Sequence, residues 1–94
     1  MAEEEVKASH ILVETEEEAI ALKEEILSGK PFEDVAAEQS LCPSGANGGD
    51  LGFFGRNVMV PEFDHAAFDL KVGELSDPIQ TNFGWHLILV TDKK

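Results

Sequence analysis

Two histidines on strand-like segments, one cysteine at the head of a glycine-rich stretch, and a methionine with several phenylalanines are the residues here that could do chemistry. His10 stands inside Val6–Val13, where Val6, Ala8, His10 and Leu12 alternate with Lys7, Ser9, Ile11 and Val13. His86 opens another apolar run, between Trp85 and Leu87. One histidine on such a face is ordinarily satisfied by a local hydrogen bond. Two on central strands point to a shared site, because each loses hydration unless it is paired. Burial would lower their pKa values and nearby carboxylates would raise them, so the sequence leaves the net sign open.

Cys42, followed at once by Pro43, reads either as a small buried filler or as a thiol facing a cleft beside the histidines. A Cys–His nucleophile would also need an oriented base and an oxyanion pocket, and no local sequence announces them. One cysteine and two distant histidines make three metal ligands at best, without paired spacing, so neither a metal nor a cofactor is expected. His65 falls off the apolar stripe of its helix and is expected in solvent. Leu51, Phe54, Met59, Phe63 and Phe68 are partly core, yet Met59-Val60-Pro61 lies in a connection, where it could line a cup for a small apolar ring.

The elements that must carry these residues follow from periodicity. After a charged Glu3–Glu5 lead-in comes the strand Val6–Val13, apolar on both faces in its second half and so expected to be interior. Thr15 with Glu18 is a capping-box pattern for a helix to about Leu27, with Ala19, Leu22 and Ile26 on one stripe and Gly29 closing it. Phe32, Val35, Ala36 and Gln39 recur at helical spacing and predict a second helix to about Ser40. From Cys42 to Gly55 the composition is turn chemistry, with a short strand at Leu51, Phe53 and Phe54, and Gly48-Gly49 is expected in backbone angles that other residues resist. A third helix spans Pro61–Leu70, Ser76–Thr81 reads as a short edge strand, and Trp85–Thr91 as a central one. The order strand, helix, helix, strand, helix, strand, strand predicts a small mixed or antiparallel sheet with helices on both faces.

Composition narrows the function classes. A chain of 94 residues is one domain, residues 1–94, and nineteen acidic against seven basic residues give a net charge of −12. That field repels phosphate backbones and anionic bilayers, so neither nucleic acid nor membrane is expected as a partner, and it argues for a monomer. One cysteine excludes an internal disulfide, and the MAEEEVK start is the reverse of a signal peptide. If these residues are a whole gene product, the expected location is the cytoplasm.

Four stretches together resemble the parvulin-type peptidyl-prolyl cis/trans isomerases, especially short single-domain bacterial and archaeal members. They are Ser9-His10-Ile11-Leu12-Val13; Ser40-Leu41-Cys42-Pro43-Ser44-Gly45 running into Gly48-Gly49-Asp50-Leu51-Gly52-Phe53-Phe54; Met59-Val60-Pro61-Glu62-Phe63 leading to Ala67-Phe68; and Gly73-Glu74-Leu75-Ser76-Asp77-Pro78-Ile79 with Thr81 and Phe83-Gly84-Trp85-His86-Leu87-Ile88. The resemblance covers essentially the whole chain. It implies an α+β fold of the FKBP-like superfold type, a four-stranded antiparallel sheet surrounded by helices. It implies that His10 and His86 are hydrogen-bonded across adjacent strands and supported by Thr81, with Cys42 beside the substrate bond. Leu51, Met59 and Phe63 would form the floor under the proline ring, with Phe68 and Phe83 in its wall. The phosphate-directed branch carries a basic cluster after the first strand, whereas Glu14-Thr15-Glu16-Glu17-Glu18 stands here, so phosphorylated substrates are disfavoured. The expected function is isomerisation of Xaa-Pro bonds in unphosphorylated polypeptides, neutral or basic near the proline, in aid of folding. A proline-binding or holdase module without catalysis, and a cysteine hydrolase, are the alternatives.

Overall fold

The computed structural model describes residues 4–94; residues 1–3, and with them Glu3 of the charged lead-in, lie outside the described residues. Alternation of apolar residues forms strand β1 (Glu5–Val13), which pairs antiparallel with β2 (Asp50–Gly55) on one side and with β4 (Gly84–Lys93) on the other. The three-residue β3 (Ile79–Thr81) pairs with the far edge of β4, which makes a four-stranded sheet of order β2-β1-β4-β3 with every neighbour antiparallel. The two histidine-bearing strands are thus the central ones.

Both faces of the sheet are covered, and the period of two decides which residues meet which helix. Val6 and Ala8 of β1 and Ile88 and Val90 of β4 are buried with Phe63, Ala67 and Phe68 of helix α3 (Pro61–Asp69). The intervening residues Ile11, Val13 and Leu87 are buried on the other side, against Ala19 and Leu22 of α1 (Glu16–Leu27) and Phe32, Val35 and Ala36 of α2 (Phe32–Gln39). Thr15 caps α1 as its sequence pattern predicts: its Oγ1 accepts the Glu18 amide at 3.2 Å, satisfying one otherwise unpaired helix donor. No helix among the described residues is long and apolar enough to cross a membrane.

Two segments differ from expectation. The stretch after Cys42 is not turn throughout but contains a 3-10 helix, Pro43–Asn47, started by the fixed backbone of Pro43. The expected edge strand Ser76–Thr81 is broken: regular pairing is confined to Ile79–Thr81, and Leu75 makes only an isolated bridge to Leu89. Pro78 has no amide to give the ladder. Ser76 compensates, donating its amide to the Ile88 carbonyl at 2.8 Å while its Oγ accepts the Ile88 amide at 2.9 Å.

Candidate active site

His10 and His86 lie on the same face of the sheet, on the diagonal between adjacent strands, since His10 is opposite Ile88 and Leu12 is opposite His86. Their rings stack with centroids 5.3 Å apart and Nδ1 atoms at 3.1 Å, both almost fully buried. Phe63 of α3 meets both rings at near right angles, with centroids 5.6 and 5.4 Å away. Thr81, at the end of β3, places Oγ1 2.7 Å from His86 Nε2.

Cys42 reaches the histidines because the chain after α2 takes over the edge of β1 where β2 leaves it. β2 pairs with β1 only as far as Ser9. Beyond it, the His10 amide donates to Gly49 O at 2.9 Å, the Leu41 amide donates to Leu12 O at 2.8 Å, and Ser40 Oγ accepts the Leu12 amide at 3.1 Å. These bonds fix both ends of the loop that carries Cys42 and Ser44. Gly49 sits at φ +80° so close to the His10 carbonyl that a side chain there would collide with it.

Ser44 is the member of the site that sequence reasoning missed. Its Oγ lies 3.1 Å from His10 Nε2 and 3.3 Å from Cys42 Sγ, closing a chain of five side chains from Thr81 through His86, His10 and Ser44 to Cys42. The one available signal was its position two residues after Cys42, at the start of the short helix.

The hydrogens of this chain can be ordered. Thr81 Oγ1 already accepts the Phe83 amide at 3.2 Å, and its own hydrogen is satisfied only by donating to His86 Nε2. His86 then donates from Nδ1 to His10 Nδ1, His10 donates from Nε2 to Ser44, and Ser44 donates to Cys42 Sγ. The reverse order strands a buried threonine hydroxyl without an acceptor. The forward order leaves over only the hydrogen of the half-buried thiol, a weak donor.

Burial pushes the His10 pKa down to about 4, helped by the neighbouring His86, and burial also lowers that of His86. Both imidazoles are neutral at pH 7, which settles the sign left open by the sequence. Because the folded value lies below the ordinary 6.5, the unfolded chain takes up the proton first. Stability is therefore complete above about pH 6.5 and falls as pH drops toward 4, by on the order of 2–3 kcal/mol for His10. Urea unfolding between pH 7 and 5 checks this: the wild type should lose more than His10→Gln. Equal losses would show that the histidine titration contributes nothing.

Beside the histidines opens an apolar cleft of about 540 Å³. Leu51, Met59 and Phe63 line it together with His10, His86 and Cys42, and Phe83 stands at its mouth, 69% exposed. No aspartate, glutamate, lysine or arginine side chain lines it among the described residues. Phe68 is not part of the lining. It is buried behind Phe54, edge to face at 6.1 Å, and the Arg56 guanidinium covers its ring at 4.4 Å. His65 is exposed, as its place off the helix stripe implies.

Residues 4–92 match the family model described as Rotamase, PPIC-type PPIASE domain. The chain is 52% identical over 91 residues to the foldase protein PrsA of Halalkalibacterium halodurans, covering 96% of itself and 27% of that protein. The crystal structure of the PrsA peptidylprolyl isomerase from Bacillus anthracis superposes with a TM-score of 0.95 at 46% identity, over 98% of this chain and 43% of that one. NmPin, the parvulin of Nitrosopumilus maritimus, superposes with a TM-score of 0.87 at 41% identity, over 98% of this chain and 100% of that one. The chain spans about a quarter to a third of the length of the curated relatives it matches. These relatives overturn the cytoplasmic expectation, because PrsA-type foldases are extracytoplasmic and membrane-anchored. That expectation leaned on the first residues and on a cysteine count, and neither speaks for a stretch that covers only part of its relatives.

Proposed function

The chain belongs to the family of PPIC-type peptidyl-prolyl isomerase domains, and on that premise we propose that residues 1–94 act as one rotamase domain. It turns Xaa-Pro bonds of unphosphorylated polypeptides between cis and trans and thereby assists their folding. The observation that carries this reading is the meeting of a closed polar chain, Thr81 to Cys42, with an apolar cleft floored by Leu51, Met59 and Phe63.

The reaction breaks no covalent bond and needs no metal or cofactor. Rotation about a prolyl bond faces a barrier of about 20 kcal/mol because it removes the conjugation of the amide. At the twisted state the nitrogen is more pyramidal and the bond less polar. A site that grips the proline ring while leaving the preceding carbonyl free binds that state better than either planar isomer. Lowering the barrier by about 4 kcal/mol gives roughly a thousandfold acceleration.

The proton order suits this task. Neutral imidazoles hold one another in place and are not placed to pass charge. Cys42 takes a hydrogen from Ser44 and has its own left for the cleft, where it can follow the swinging carbonyl. His10, His86, Thr81 and Cys42 are thus the groups that shape and polarise the site. Leu51, Met59 and Phe63 bind the ring with Phe83 beside them, and Phe68 supports them from the core.

The charge of −12 disfavours nucleic acid and self-association and favours chains that are neutral or basic near the proline. The field acts from outside an uncharged cleft, so salt should weaken this preference. The test is NMR exchange on Ala-Ala-Xaa-Pro-Phe peptides with catalytic amounts of protein. Exchange well above the uncatalysed rate is expected, with Lys at Xaa favoured over Glu at low salt. Cys42→Ala should retain its fold and lose about tenfold in rate. Full activity in that variant would make the thiol a packing residue. Peptide-induced shifts near Met59 without any exchange would leave a binding module.

A further inference from the structure

One carboxylate of this acidic chain has been taken out of water. Asp64, in the first turn of α3, is 5% exposed, and no other acidic residue among the described residues is buried. A carboxylate is buried only where something holds it. No salt bridge among the described residues involves Asp64. The start of a helix favours its negative charge, and one backbone donor meets it: the Asn57 amide donates to its Oδ1 at 2.9 Å.

That bond closes a loop. The Asp64 amide donates to Val60 O at 2.9 Å while its side chain accepts from Asn57, so a single residue grips both ends of the segment 57–60. Val58, Met59 and Val60 of this segment all line the cleft. Asn57 stands at φ +67°, and among the described residues no other non-glycine residue has a positive φ. Left-handed backbone is costly for a residue with a side chain and persists only where its surroundings over-determine it. The residue before it is fixed to the same helix, since the Arg56 guanidinium lies 4.4 Å over the Phe68 ring. One turn of α3 therefore presents Phe63 to the histidines and, through its neighbour Asp64, holds the loop that brings Met59 to the same cleft.

We infer that Asp64 is a positioning residue for the isomerisation: by holding Asn57 in its left-handed form it sets Met59 beside Phe63 as the floor under the proline ring. It touches no substrate itself. This rests on the isomerase reading above and adds to it the group that builds the floor. Without the carboxylate, Asn57 relaxes to an ordinary backbone angle and the loop turns Met59 out of place. The floor holds the ring in the planar and twisted states alike, so its loss weakens binding and leaves the rotation of bound substrate unchanged.

Asp64→Asn keeps an oxygen that can accept the amide, whereas Asp64→Leu keeps the size without it. NMR exchange on Ala-Ala-Lys-Pro-Phe at low temperature, with affinity followed in parallel by amide shift titration, compares them. Asp64→Leu should raise KM and Kd about tenfold with kcat within about twofold, and Asp64→Asn should stay within about twofold of the wild type throughout. Leu22→Ala opens the core on the other face of the sheet and should lose stability without any rise in KM. If Asp64→Leu does not fold, Asn57→Val reads the same bond from its exposed donor side. A β-branched residue resists φ +67°, and KM should again rise several-fold. A KM rise shared by Asp64→Asn or Leu22→Ala, or absent from Asp64→Leu and Asn57→Val, overturns the positioning role while leaving the isomerase standing. Absence of exchange in the wild type overturns the isomerase, and an unchanged Kd in Asp64→Leu or Asn57→Val then overturns the positioning role as well.

Discussion

Phe63→Ala is expected to cost about 3–5 kcal/mol, a large part of the roughly 5–14 kcal/mol that holds a domain of this size. The ring is only 3% exposed and touches three others: its contacts with the imidazoles of His10 and His86 are near perpendicular, and it tilts on Phe54 at 6.1 Å. Truncation opens a cavity directly under the histidine pair. The melting temperature should fall by on the order of 20 °C. A second consequence separates this site from an ordinary core position. Burial is what holds the histidine pKa values down, so water entering the cavity should raise them toward 6.5. A histidine titration by NMR on the folded fraction at low temperature would read that rise. A variant melting within a few degrees of the wild type, with unmoved histidine pKa values, would remove Phe63 from both roles.

Gly49→Ala should be nearly as damaging for a different reason. Two terms add there: the left-handed backbone at φ +80° and the collision of a new Cβ with the His10 carbonyl. Gly52 separates them. It has φ +70° but nothing within 4 Å of a Cβ. Gly52→Ala is therefore expected to cost about 1–2 kcal/mol and Gly49→Ala at least about 3 kcal/mol. The excess should come with lost isomerisation, because forcing Gly49 off β1 moves the loop that carries Ser44 and Cys42. Equal urea midpoints for the two variants would mean that the loop yields without effort.

Much of this was legible in the residues. Alternation in Val6–Val13 and the nearly continuous apolar run Trp85–Thr91 put two histidines on buried strands, and the Thr15–Glu18 pair marked the start of α1, because patterning and capping are local properties. What escaped depends on contacts between distant segments. Ser44 carries no mark that distinguishes it from other loop serines until the loop is laid along β1. Phe68 follows Phe63 by five residues, about 1.4 turns of α3 and so roughly 140° around it, which points it at Phe54 and Arg56 instead of the cleft. Ser76 looks like a strand residue, but its Oγ stands in for a strand carbonyl by accepting the Ile88 amide. The sign of the histidine pKa shifts needed burial to be known. The location of the protein was never a matter of these residues' packing at all.

The pairing of β1 with β4 has a consequence for how the molecule comes into being. His10 and His86 are separated by 76 positions, and they touch only after the last strand has slid between β1 and β3. During vectorial synthesis α1 and α2 can cover Ile11 and Val13 soon after β1 emerges, but one edge of β1 stays unpaired until β4 has been made. Contacts of such long sequence separation form late and slowly. For most of its own synthesis, then, this domain carries an open strand edge and two halves of a site that cannot meet, and both are resolved by the same late strand.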